Sequence, residues 1–419
     1  MIFSFQNKEV FQKKALHWAA SFSHFAWLDN NGIPYLYHGF PNILAAGRKS
    51  MVCPDNNGFT TLKEWMNKHQ SWLFGFFTYD LKNEIEHLQS ENLEYIQFPS
   101  LCFFEPEHLL ILEDNQVTIL SETPEVVFQE IISIEPDSTE YNPTITQPPA
   151  ATVSKERYIQ QVTRIKEHLE AGDIYELNYC IEFTARGSIA PVHTYLRLNE
   201  ISPMPFSCLV RVDTLYLLCA SPERFLKKEG DKLISQPIKG TRKRGATPAD
   251  DIALIQELKT SEKEIAENMM IVDLVRNDLS RSCKPGTVIA EELFGVHTFQ
   301  QVHQMISTIT GKLQEQIHPV DAIKNAFPMG SMTGAPKIRA MELIDEIEES
   351  KRGLFSGAAG YFTPDGEFDL NVIIRSIFYD EKNQKLSFQV GSAITYEADA
   401  EKEYEECLVK AAAMLKVLE

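Results

Sequence analysis

The stretch from Leu215 to Thr241 restricts the possible folds more than any other. Leu215-Tyr216-Leu217-Leu218-Cys219-Ala220 reads as a strand that continues to Phe225-Leu226. Glu229-Gly230-Asp231 supplies a turn, and Lys232-Leu233-Ile234-Ser235 returns. The return strand runs into Gln236-Pro237-Ile238-Lys239-Gly240-Thr241. A strand pair that ends in this way aims an amine at whatever lies beyond the sheet, with little room for water around it. Desolvation disfavours an ammonium, so Lys239 is expected to be less protonated than usual and usable as a nucleophile or base. Taken alone, the stretch is better read as a surface lysine after a hairpin; other segments tip the reading.

Two helices carry paired acids. Ser154 can cap a helix with Tyr158, Val162, Ile165 and Leu169 on one face, closed by Gly172. Asp173 to Tyr179 reads as a strand, and Thr247-Pro248 as an N-cap followed by proline at the first helical position. Ser261-Glu262-Lys263-Glu264 has capping-box spacing and opens a helix to about Leu279. At about 100° per residue, Glu264 and Glu267 project with Ile271, Leu274 and Val275, along the inward face. Two carboxylates in a dry interior repel each other unless a cation neutralises them. On the C-terminal helix, which Asp399 can cap, Glu403, Glu406 and Lys410 share a face apart from the apolar stripe of Tyr404, Leu408, Ala411, Leu415 and Leu418. Two Glu-x-x-Glu pairs give oxygen-only ligands of the kind that suits Mg²⁺, although a solvated charged face gives the same pattern.

Between these helices lie His303 and the run Phe327 to Lys337. Gly330 and Gly334 would let backbone amides approach an anion, with Lys337 and Arg339 behind them. Gly357–Thr363 pairs through Pro364-Asp365-Gly366 with a long strand to Tyr379, and Lys385–Thr395 follows. Arg375 alternates with Asn371, Ile373 and Ile377 on that strand. An arginine on an apolar strand face calls for a carboxylate.

Residues 1–133 mix strand-like and aromatic runs such as Trp72 to Asp80, without evident catalytic machinery. The proline-bearing stretch 134–153 is the best linker, leaving 154–419 as a second unit. A net charge of −19 disfavours nucleic acid and anionic membranes. Seven scattered cysteines without a CxxC, no signal-peptide pattern at Met1 and no membrane-length apolar run point to the cytoplasm.

Ser221-Pro222-Glu223, Pro237 to Arg242, Glu264 to Asp278, Phe327 to Arg339 and Gly391 to Glu406, in this order, closely resemble the chorismate-utilising enzymes. That family includes anthranilate synthase component I, aminodeoxychorismate synthase component I, and the isochorismate and salicylate synthases. The resemblance implies an α+β fold, with two large, mainly antiparallel sheets packed face to face and helices outside. It makes 1–133 an N-terminal subdomain of the anthranilate synthase component I type and 154–419 the chorismate-binding catalytic region. Lys239 places the chain closest to aminodeoxychorismate synthase component I, since anthranilate synthases carry alanine there. Glu176 stands where isochorismate and salicylate synthases place their water-activating lysine.

The resemblance further implies a mechanism. Mg²⁺ would be held by Glu267 and Glu406, with Glu264 and Glu403 behind water, and would grip the ring carboxylate of chorismate. Glu223 would protonate the leaving 4-hydroxyl, and Lys239 would attack C2; ammonia would then displace the lysine, giving 4-amino-4-deoxychorismate for para-aminobenzoate and folate synthesis. Arg375 and Tyr361 would hold the enolpyruvyl carboxylate with the amides of Gly391, Ser392 and Ala393. Thr333 and Lys410 would line the ring side, and His303 would orient substrate or neutralise charge. No glutaminase-type Cys/His arrangement is recognisable, so ammonia is expected from a separate glutamine amidotransferase subunit. The rival expectations are amination at C2 with loss of pyruvate, and a non-catalytic Mg²⁺/dicarboxylate-binding scaffold.

Overall fold

Alternation along the strands decides the layering. In the computed structural model, which describes residues 1–135 and 142–419, Phe206, Cys208, Val210 and Val212 of strand Phe206–Val212 face one interior and Leu209 faces another. The neighbouring strand Leu215–Ser221 does the same: Leu217 and Cys219 point one way, Tyr216, Leu218 and Ala220 the other. A period of two with both faces apolar requires cover on both sides. The first interior lies between two sheets, where Ala26, Val210 and Leu217 meet Phe74, Leu226 and Ile306. The second lies between one sheet and helices Lys155–Glu170, Lys337–Ile347 and Ala400–Leu418, which contribute Tyr158, Leu343 and Met414.

The result is the expected α+β architecture: two sheets, of twelve and ten strands among the described residues, with antiparallel pairings and helices outside. Residues 1–133 give strands to both sheets. His24–Asp29 pairs with Phe206–Val212 in the larger sheet, and Leu73–Phe77 with Ala358–Phe362 in the smaller. The aromatic run Trp72–Tyr79 therefore supplies one wall of the inter-sheet core. In the stretch expected to be a linker, Thr144–Ala151 is a strand paired with Glu176–Ser188. Pro148 and Pro149 are tolerated there because the strand lies at the edge, where a missing donor breaks no second ladder. Positions 136–141 of that stretch lie outside the described residues.

Two strands read as continuous are each broken. Leu215–Ser221 belongs to the larger sheet, but after Pro222-Glu223 the strand Arg224–Glu229 belongs to the smaller one. Likewise Phe368–Asn371 lies in the smaller sheet and Ser376–Asp380 in the larger. Periodicity cannot register these crossings, because the apolar pattern persists while the partner strands change. The helix caps follow the sequence closely: Ser154 accepts from the Arg157 amide, Thr247 and Asp250 form a capping box, and Asp399 accepts from Glu401 and Lys402. No helix among the described residues is long and apolar enough to cross a membrane.

Candidate active site

The two sheet crossings lie side by side and carry the acid and the arginine. The Val372 amide donates to the Glu223 carbonyl at 3.0 Å, and the Ala220 amide to the Arg375 carbonyl at 3.2 Å. The Ser221 hydroxyl donates to the Val372 carbonyl at 2.6 Å. Arg375 takes a φ of 52°, a left-handed conformation that costs a non-glycine residue about 1–2 kcal/mol. Both side chains are thus set by backbone bonds between crossings rather than by mobile neighbours.

Glu223 is 4% exposed, and Ser331 Oγ donates to its Oε1 at 2.5 Å. Burial pushes its carboxyl up to about 7, against the pull of Ser331, Lys239 and Arg375. At neutral pH such a group is poised between its acid and base forms. Burial also lowers the Arg375 guanidinium to about 10, with Glu223 opposing. Arg375 reaches Met204 Sδ at 3.9 Å but makes no ion pair among the described residues. A half-buried guanidinium fork without a carboxylate partner is suited to an anionic ligand.

Lys239 lies on strand Ile238–Lys243, and its Nζ donates to Glu176 Oε1 at 2.5 Å. Burial lowers its pKa, yet Glu176, Glu267 and Glu406 raise it, and the net shift is upward. The expectation of a less protonated lysine is therefore corrected: the surrounding carboxylates outweigh desolvation. Gly240 is needed beside it. Its φ is 98°, and an added Cβ would lie 2.9 Å from Glu264 Oε2.

The helical acids divide into two kinds. Glu267 and Glu403 are 9% and 7% exposed, and Lys263 Nζ spans them at 3.7 and 4.0 Å. Burial pushes Glu267 up to about 7, with Glu176 and Glu264 adding to the shift and Lys239 and Lys263 opposing it. Burial and Glu406 raise Glu403. By contrast, Glu264 accepts from Arg242 at 2.8 Å, and Glu406 pairs with Lys410 at 2.7 Å. Burial would raise Glu406, but Lys410 and Lys239 prevail and lower it. No three His, Cys, Asp or Glu side chains among the described residues are grouped closely enough to cage an ion. The donor chemistry nonetheless fits a hard divalent cation with few protein ligands: it is all oxygen, one lysine cation already bridges two helices, and the buried Glu176 Oε2 has no partner.

The other expected residues are dispersed around this centre. Lys410 Nζ donates to the Gly391 carbonyl at 2.8 Å, tying the C-terminal helix to the 391–393 strand. Ser392 Oγ meets Tyr158 OH at 3.0 Å, and Ala393 pairs with Asn178. Thr333 is fully buried, with its hydroxyl donating to the carbonyls of Met329 and Gly330 at 3.2 and 3.3 Å. His303 has both ring nitrogens taken, by Thr298 at 2.9 Å and Asp251 at 3.0 Å, rather than by Lys239 or Glu223. Tyr361 packs its ring against Trp72 and Phe74, and burial, with Asp369 next, raises its phenol. Lys337, expected to open a helix behind the glycines, does so and turns its amine to Asp278 and the carbonyls of Ala326 and Pro328. Arg339 pairs with Glu342.

Sequence reasoning missed two partners: Glu176 for Lys239, and Ser331 for Glu223. Glu176 was visible only as a replacement in a family position, and Ser331 as one residue of a glycine-flanked loop.

The chorismate binding enzyme family matches residues 41–416. A Bacillus subtilis protein, aminodeoxychorismate synthase component 1, is 30% identical over 410 residues, covering 93% of this chain and 86% of that protein. A Streptomyces griseus aminodeoxychorismate synthase is 42% identical over 266 residues; the match takes 63% of this chain and spans only 36% of the relative's length. The crystal structure of anthranilate synthase component I from Streptococcus pneumoniae superposes with a TM-score of 0.81 at 25% identity, covering 91% of this chain and 93% of the other.

Proposed function

Since the chain belongs to the chorismate binding enzyme family, we propose that it aminates chorismate at C4, giving 4-amino-4-deoxychorismate. Its ammonia would come from a separate glutamine amidotransferase, and its seven unpaired cysteines suit the cytoplasm. The observation that carries this reading is Lys239 Nζ held at 2.5 Å by Glu176, in the same electrostatic neighbourhood as Glu223, Glu267 and Glu406.

Arg375 offers its fork to one substrate carboxylate. Glu267 and Glu406, with Glu264 and Glu403 beside them, would hold Mg²⁺, which when bound would supply Lewis-acid polarisation of the ring carboxylate and offset the acidic field around Lys239. Glu176 is positioned to take the proton that Lys239 must lose before it can attack. The free amine bonds to C2, both ring double bonds shift by one position, and the C4–O bond breaks. Glu223 gives its proton to the departing hydroxyl, which leaves as water. Ammonia then bonds to C4, both double bonds shift back, the C2–N bond to Lys239 breaks, and Glu176 returns its proton to the released amine. The proton shed by the new C4 ammonium returns Glu223 to its acid form, so the net change is chorismate plus ammonia to aminodeoxychorismate plus water.

Incubating the protein with chorismate, Mg²⁺ and ammonium, and identifying the product by mass, tests the assignment. The expected product retains the enolpyruvyl group, and Lys239→Ala abolishes its formation. Fluorescent anthranilate with free pyruvate would overturn the C4 assignment in favour of C2 amination, the reading favoured by the likeness to the Streptococcus pneumoniae structure.

A further inference from the structure

Two cysteine pairs lie on facing strands, and only one of them can meet a solute. Cys208 and Cys219 are directly opposed and fully buried at the centre of the larger sheet. Cys53 follows Ser50–Val52, the edge strand of the smaller sheet. That strand's register sets Val52 against Phe103, so Cys53, the next residue, comes opposite Cys102. Cys53 is half-buried while Cys102 is fully buried. Met51, two residues before Cys53 on the same strand face, brings its Sδ to 3.5 Å from Cys102 Sγ. Three sulfurs thus gather under one edge strand with a single thiol open to solvent.

We propose that Cys53 and Cys102 form a peroxide-reactive dithiol, with Cys53 as the attacking thiol and Cys102 as the resolving one. The neighbouring Cys102 thiol lowers the Cys53 pKa, against burial and the charges of Asp55 and Asp213. Cys102 stays protonated: the Cys53 contact and burial raise it, with Arg48 opposing. Cys53 is the thiol that peroxide can reach, and its lowered pKa favours the thiolate that attacks. The Cys53 thiolate attacks one oxygen of hydrogen peroxide, the O–O bond breaks, and hydroxide leaves, becoming water with the thiol's proton. Cys53 is then a sulfenic acid. As the Cys102 sulfur attacks the Cys53 sulfur, its proton passes to the departing hydroxyl, the S–O bond breaks, and a second water leaves. Two thiols lose two hydrogens and two electrons, and one peroxide becomes two waters. The product staples the edge strand to strand Leu101–Glu105 in the register it already holds.

The test is hydrogen peroxide added to the native full-length chain, followed by acid quench, alkylation and peptide mapping. The expected result is a Cys53–Cys102 linked peptide lighter by two hydrogens, restored by dithiothreitol, with Cys208 and Cys219 still fully alkylated after unfolding. Cys102→Ser should lose the crosslink and leave Cys53 labelled by dimedone, and Cys53→Ser should lose all peroxide sensitivity at Cys102. Oxidation at Cys208 or Cys219 before Cys53, or full recovery of both Cys53 and Cys102 as thiols in wild type, overturns the proposal. The wild-type readout stands even if either variant fails to fold, and none of these residues belongs to the chorismate site.

Discussion

The site is built from two regions that hold charge in opposite ways. At the sheet crossings, Glu223 and Arg375 are fixed by backbone bonds between neighbouring breaks, and neither side chain has a charged partner within ion-pair distance among the described residues. On the helices, Glu264, Glu267, Glu403 and Glu406 are each answered by a cation of the chain: Arg242, Lys263 or Lys410. The crossings store unpaired functional groups because the backbone there cannot relax. The helices carry more charge than an interior tolerates, and temporary internal counter-ions hold it until something better arrives. On the proposed reading, the first region would receive a substrate and the second a metal.

If this contrast is right, the largest effect comes from the crossings. Glu223→Gln keeps the hydrogen-bonding shape but removes the transferable proton, so kcat for chorismate amination should fall by about 10²–10⁴. In the wild type, activity should decline as pH rises through about 7, where Glu223 loses its proton. The stability sign runs the same way. The folded pKa lies above the ordinary value of 4.5, so the native state binds the proton more tightly and loses stability between about 4.5 and 7 as pH rises. Glu223→Gln should flatten that part of a Tm-against-pH curve. An unchanged rate, or an unchanged pH limb, would remove Glu223 as the acid.

Arg375 gives the next effect and separates backbone from side chain. Arg375→Ala should raise KM for chorismate by roughly 10- to 100-fold, the equivalent of a lost charge-assisted contact. Arg375→Gly should lose the same affinity yet be more stable than Arg375→Ala by about 1 kcal/mol, because glycine accepts the φ of 52° without strain. Equal thermal stability of the two variants would show that the crossing is not strained, and an unaltered KM would remove Arg375 from the substrate site.

The same contrast explains how much the sequence could disclose. Helix caps were legible because Ser154, Thr247, Ser261 and Asp399 act within one turn of their own helix. The inward aim of Glu267 was legible from helical period alone. The crossings were not, since Pro222-Glu223 and the Val372–Arg375 segment interrupt runs whose alternation continues on either side. The Lys239–Glu176 contact joins residues 63 positions apart, and no local pattern encodes it. The partner of Lys337 was hidden for a related reason: Asp278 is brought against it only by the fold. The upward shift of the Lys239 amine was likewise invisible, because burial and carboxylates compete and only coordinates weigh them.

The smallest effect addresses the helices. Lys263 is half-exposed, so its ion pairs with Glu267 and Glu403 contribute no more than about 1 kcal/mol. Lys263→Met should therefore lower the Tm of metal-free protein only slightly, by leaving two buried carboxylates facing each other. If the lysine stands in for a bound cation, it also competes with one. Added Mg²⁺ should raise the Tm of Lys263→Met more than that of wild type, and the variant should require less Mg²⁺ for half-maximal stabilisation. Identical Mg²⁺ titrations of the two proteins would mean that the ion does not use Glu267 and Glu403, and that the lysine bridge is a structural pair in its own right.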